Sequence, residues 1–118
     1  MKPKYHFLSN AKYALEGFLT LLKNERAFQI ELSIIIPVFI ISFFLPVSMA
    51  THLVLISVLI LILIAEAFNS AVEACVDLII DEWHEKAKIA KDCASAGVLF
   101  SVFLAFFVWA FALYSVYL

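Results

Sequence analysis

Between Arg26 and Lys86 the chain runs for 59 residues, 27–85, without a single lysine or arginine. Two hydrophobic stretches fill that gap, and a third follows the charged segment after it. The chain is 65% hydrophobic and 15% charged. An ordinary soluble domain is roughly 45–50% apolar and about 25% charged. With 118 residues, only two Gly and three Pro, the chain has room for one domain and few helix breakers. Long apolar helices are therefore expected, and a membrane is the environment that suits them.

The eight basic residues fall in two blocks: Lys2, Lys4, Lys12, Lys23 and Arg26, then Lys86, Lys88 and Lys91. Residues about 5–24 have the spacing of an amphipathic helix. Phe7, Leu8, Ala11, Leu15, Phe18, Leu19 and Leu22 recur on one side, whereas Ser9, Lys12, Glu16, Thr20 and Lys23 fall elsewhere. Such a helix can lie in the headgroup plane, or it can pack on a protein partner. Three transmembrane segments are expected after it: about 31–47, 52–80 and 93–118. The first is slightly short of the ~20 residues that a span needs, and Pro37 is expected to bend it. An uncharged turn, Pro46–Thr51, leads into the second. A charged loop, 81–92, separates the second from the third, and Trp109, Tyr114 and Tyr117 lie towards the third segment's end, as in an aromatic belt. The fold class expected is an all-α membrane protein: an amphipathic surface helix plus three transmembrane helices. Positive residues stay inside, which makes the N-terminus and the 81–92 loop cytoplasmic and the C-terminus external.

Several function classes lack support. No basic run suggests nucleic acid, and the N-terminus has neither the continuous apolar core nor the A-x-A site of a secretory signal. Cys75 and Cys93 show no metal-binding spacing, and near the cytoplasmic side they are not expected to form a disulfide. There is no Walker-type lysine loop, no H-R-D and no D-F-G.

Four acidic or amide residues interrupt the second apolar segment: Glu66, Asn69, Glu73 and Asp77. At 100° per residue they fall within about 60–80° of one another, a stripe along roughly 16 Å of helix. Ionisable residues at membrane depth are costly and usually functional. Glu66 directly follows the uncharged stretch 53–65, apolar at every position but Ser57, and is the strongest candidate. Desolvation favours the protonated form of a carboxyl group, and a group so tuned can act as a general base at neutral pH. Asp77 is equally readable as solvated or capping. Glu25 and Glu31 flank the start of the first span. Glu25 lies on the same side as Glu73, and two such carboxylates can hold Mg²⁺ together with phosphate oxygens; solvated helix-end carboxylates fit the spacing as well. Lys91 and Asp92 can face phosphates, or can serve as a topology charge and an N-cap.

The segments Glu66-Ala-Phe-Asn69-Ser70-Ala-Val-Glu73-Ala-Cys-Val-Asp77 and Ala90-Lys91-Asp92-Cys-Ala-Ser95-Ala-Gly-Val resemble the signature of the small bacterial integral-membrane diacylglycerol kinases. Asn24-Glu25-Arg-Ala-Phe28-Gln-Ile-Glu31 and Glu82-Trp83-His84-Glu85 extend the resemblance over nearly the whole chain. It implies a homotrimer in the bacterial inner membrane that moves the γ-phosphate of ATP to the hydroxyl of diacylglycerol, giving phosphatidic acid and ADP. It implies Glu66 as the base and Asn69 as its orienting partner. Glu25 and Glu73 would hold Mg²⁺, and Tyr13, Glu82, His84, Lys91 and Asp92 would lie on ATP. Glu31, Ser95 and the segment from Trp109 would line the lipid site. The chain departs from the family pattern at His6, Ala14, Leu15 and Trp83, which bears on the nucleotide contacts of the surface helix. Undecaprenol kinases share the core motif and are the alternative substrate class. An ion or proton carrier, or a non-catalytic membrane assembly subunit, is the alternative from the residues alone.

Overall fold

The computed structural model describes residues 6–118, and all regular structure among them is helical. Four helices follow in order: α1 (Phe7–Asn24), α2 (Arg26–Ser42), α3 (Met49–Ile79) and α4 (Glu85–Tyr117). At 31 and 33 residues, α3 and α4 are long and apolar enough to cross a membrane. α2 is equally apolar in character but has 17 residues, about 25 Å at the usual helical rise.

A single residue separates α1 from α2. Glu25 is extended, with φ −106° and ψ 107°. Its amide donates to the Leu21 carbonyl and its carbonyl accepts from the Gln29 amide, so hydrogen bonding continues on both sides of the break. Gln29 Nε2 reaches back to the Leu22 carbonyl at 2.8 Å, and Phe18 meets the buried Phe28 edge to face. Otherwise α1 is exposed along its length, apolar residues included. That is the distribution expected of a helix whose apolar face covers something outside the single chain.

The α2–α3 turn is closed by Ser48, whose hydroxyl caps the Thr51 amide at 3.1 Å. α3 packs on both α2 and α4. The core lies at mid-height, where Ile35, Val58, Leu59, Ile62 and Ala105 are buried together. Trp109 packs against that cluster, and its indole N–H donates to the Leu55 carbonyl at 3.2 Å, tying α4 to α3.

The boundaries differ from the expected ones in instructive ways. The surface helix runs Phe7–Asn24 rather than from residue 5, which lies outside the described residues. α2 starts at Arg26, ahead of the expected 31, and ends at Ser42. Pro37 lies inside it without ending it. The segment 81–92 is not a loop throughout, since α4 begins at Glu85. Charge marks where a helix leaves the apolar phase, not where it stops. The exposed turns of α4 are supported by a Lys88–Asp92 pair four residues apart, at 2.6 Å. Asp92 is therefore not an N-cap. His84 takes that position, with its Nδ1 accepting from the Lys86 amide at 3.0 Å.

Candidate active site

The polar row on α3 keeps the face that its periodicity sets, and burial grades along it. Glu66 is 4% exposed and Asn69 8%, whereas Glu73 and Asp77 are exposed. Asn69 Nδ2 donates to Glu73 Oε1 at 3.0 Å, a contact that their four-residue spacing permits. The row thus begins among packed side chains and ends in the open.

α2 brings a second set of carboxylates to this face. Glu31 lies one helix away from Glu66 within electrostatic range, and Glu25, half-buried at the α1–α2 break, is within range as well. Glu31 Oε1 and Asn69 Oδ1 are buried without a hydrogen-bond partner among the described residues. The ion pairs of the described residues are Lys88–Asp92 and Lys91–Asp77, so none of these neutralises the Glu25, Glu66 and Glu73 group. No three or more His, Cys, Asp or Glu side chains converge as a closed metal site among the described residues. Mg²⁺ takes one or two carboxylates from a protein when phosphates and water complete its shell, and within this group Glu25 and Glu73 are the carboxylates that are not buried.

Four other expected site residues meet elsewhere. Glu82, His84, Lys91 and Asp92 all line one recess of about 390 Å³ at the α3–α4 turn, together with Asp77 and Trp83. Lys91 Nζ sits 2.7 Å from Asp77 Oδ1, and this joins the recess to the foot of the α3 row. With Nδ1 of His84 already accepting, the neutral ring carries its proton on Nε2 and has that donor free. The recess is thus of mixed charge: Lys88 and Lys91, each paired with an acid, line it with Asp77, Asp81, Glu82 and Asp92.

Three expected residues stand apart. Tyr13 is exposed on α1. Ser95 is exposed on α4, about one turn beyond Asp92. Trp109 bonds to Leu55, eleven residues before Glu66 and so about 16 Å along α3. An apolar groove of about 170 Å³ spans that distance in part: Ile34 and Ile35, Leu59 and Ile62, and Trp109 line it. Ile62 is one turn from Glu66 and Ile34 about one turn from Glu31.

Two features were not foreseen from the residues. One is the Asp77–Lys91 pairing, which needs the turn geometry that folds α4 back along α3. The other is Ser70, 8% exposed and on the same face as Glu66. Its offset of four from Glu66 is itself a periodic signal, masked because serine carries no charge.

Long apolar helices, a carboxylate row graded in burial and an adjacent recess of mixed charge define a helical membrane protein with a polar site at one end of its helices. A family model described as prokaryotic diacylglycerol kinase matches residues 12–113, and the chain belongs to that family. It is 38% identical to the diacylglycerol kinase of Escherichia coli K12 over 105 residues, 89% of this chain and 86% of the relative. Identity is 36% to the diacylglycerol kinase of Haemophilus influenzae, with 88% of each covered. It is 30% to the undecaprenol kinase of Bacillus subtilis, covering 78% of this chain and 75% of that protein. The chain is accordingly a kinase, and the carrier and assembly-subunit readings give way.

Proposed function

We propose that the chain transfers the γ-phosphate of ATP to the hydroxyl of 1,2-diacylglycerol, releasing phosphatidic acid and ADP. The observation that carries this reading is the burial gradient from Glu66 to Glu73 on one face of α3. A lipid hydroxyl reaches the buried end from the bilayer, and ATP reaches the exposed end from water. Glu66 accepts the hydroxyl proton as the oxygen attacks phosphorus. Asn69 bridges the two ends through Glu73. Phosphoryl transfer asks for positioning and charge neutralisation more than covalent help, and the lipid–water boundary supplies the positioning.

Glu25 and Glu73 hold Mg²⁺, which when bound neutralises phosphate charge. Lys91, Asp92, Glu82 and His84 embrace the nucleotide in the turn recess, and Tyr13 closes on it from α1. Glu31 and Ser95 border the headgroup, and the groove leading towards Trp109 takes an acyl chain. The three apolar helices cross the bacterial inner membrane, with the N-terminus and the α3–α4 turn in the cytoplasm and the C-terminus outside. α1 lies in the headgroup plane. Three copies associate, each covering apolar surface that the single chain leaves open.

Undecaprenol is the second acceptor to consider, because one relative carries that name at 30% identity. Relatives named for diacylglycerol reach 38%. Purified protein in mixed micelles with Mg-ATP, offered each alcohol in turn, decides between them. Faster turnover of diacylglycerol is expected; preference for the polyprenol overturns the assignment.

A further inference from the structure

Serines within helices usually return their hydroxyl to a carbonyl of the preceding turn. Five do so here: Ser33, Ser42, Ser57, Ser101 and Ser115, at 2.6 to 2.8 Å. Ser70 does not. Its Oγ is buried, with no hydrogen-bond partner among the described residues, although the Glu66 carbonyl lies four residues behind it. Leaving a buried hydroxyl unpaired is unfavourable, so such a group calls for a partner supplied from outside the single chain.

The neighbouring polar atoms say what that partner is. Ser70 shares the α3 face with Glu66 and Asn69, one turn from Glu66, about 5–6 Å between Cβ atoms. Glu31 Oε1 and Asn69 Oδ1 are buried, unpaired acceptors. The Asn69 amide nitrogen already donates one hydrogen to Glu73. Among Glu31, Asn69, Ser70 and Glu73, the Ser70 hydroxyl is therefore the buried donor group that makes no hydrogen bond among the described residues. A ligand matching this set presents one O–H to a carboxylate and accepts one hydrogen bond in return. A primary alcohol does both through a single oxygen.

We infer that Ser70 is a substrate-contacting residue: its hydroxyl donates to the oxygen of the acceptor alcohol and holds it beside Glu66 in the line of attack. This rests on the reading of Glu66 as base. The oxygen then gives its proton to Glu66, accepts from Ser70 Oγ–H, and keeps a lone pair for phosphorus. Ser70 is neither acid nor base in this arrangement and forms no covalent bond.

The test compares Ser70→Ala, Ser70→Thr and Glu66→Gln in the full-length protein in mixed micelles. Two quantities are measured: phosphorylation of diacylglycerol, and transfer from ATP to water in the absence of lipid acceptor. Ser70→Ala is expected to lower kcat/KM for the lipid about tenfold while leaving the KM for Mg-ATP and the transfer to water within about twofold. Ser70→Thr, which keeps the hydroxyl, restores most of the loss. Equal loss in both reactions, or a loss that threonine does not restore together with a lowered thermal midpoint, assigns Ser70 to packing and overturns the inference. So does an unchanged lipid kcat/KM in Ser70→Ala when Glu66→Gln is inactive. An active Glu66→Gln instead removes the base on which the inference stands.

Discussion

Lys91 and Asp77 meet at 2.7 Å across the α3–α4 turn, and theirs is the ion pair that links two different helices among the described residues. It joins the exposed end of the acidic row to the recess that Glu82, His84 and Asp92 also line. Asp77, which spacing alone leaves between solvation and capping, holds the lysine proposed to meet phosphate.

Both partners are substantially exposed, at 41% and 65%, so the pair adds little to stability. Asp77→Asn is expected to move the thermal midpoint by no more than about 2 °C. It should change the KM for Mg-ATP less than about threefold, because Lys91 keeps its charge. Lys91→Ala removes a charged donor to phosphate and is expected to raise that KM at least about tenfold. Steady-state kinetics of the two variants side by side check this; equal effects would place the importance in the pair rather than in the lysine.

Glu66→Gln keeps the size and most of the hydrogen-bonding capacity of a nearly buried side chain. The variant is expected to fold and assemble as the parent does. Its kcat should fall by about 10²–10⁴-fold, the range for loss of a positioned general base. Size-exclusion chromatography and a coupled ADP assay measure the two halves of this expectation. Substantial remaining turnover refutes the assignment.

Glu73→Gln leaves an acceptor for Asn69 Nδ2, now 3.0 Å from Glu73 Oε1, and removes only the charge. The expected result is a Mg²⁺ activation curve displaced to at least about tenfold higher concentration. An unchanged curve argues against a ligand role.

Trp109 tests the α3–α4 seam. Trp109→Phe removes the bond to the Leu55 carbonyl and keeps most of the ring, at an expected cost of about 1 kcal/mol. Trp109→Ala also empties the volume beside Ile62 and Ala105, at about 3–5 kcal/mol. Denaturation in micelles should rank the two in that order.

Cys75 and Cys93 are free and exposed at the turn end of the molecule. A membrane-impermeant maleimide is expected to label them in inverted inner-membrane vesicles and not in intact spheroplasts. The reverse pattern overturns the proposed topology.

How far the sequence reaches depends on which force sets each feature. The helices follow from apolar runs and scarce breakers, and the shared face of Glu66, Asn69, Glu73 and Asp77 follows from the helical repeat alone. Boundaries are less legible. α4 takes in Glu85 to Asp92 because exposed lysines and acids support a helix as readily as a loop, and His84 rather than Asp92 caps it. Contacts between segments distant in sequence, such as Trp109 with Leu55 and Lys91 with Asp77, depend on how α4 lies along α3. No local pattern encodes that placement. Ser70 was legible by register and silent by charge.

The break at Glu25 has a mechanical meaning. The direction in which α1 leaves α2 rests chiefly on two torsion angles of one residue, −106° and 107°. That residue also carries a carboxylate within electrostatic range of Glu66 on α3. With α1 on the membrane surface, as proposed, a change in its direction relative to α2 would turn the Glu25 backbone and carry its carboxylate with it. Tilt at the periphery and electrostatics at the centre share one pivot.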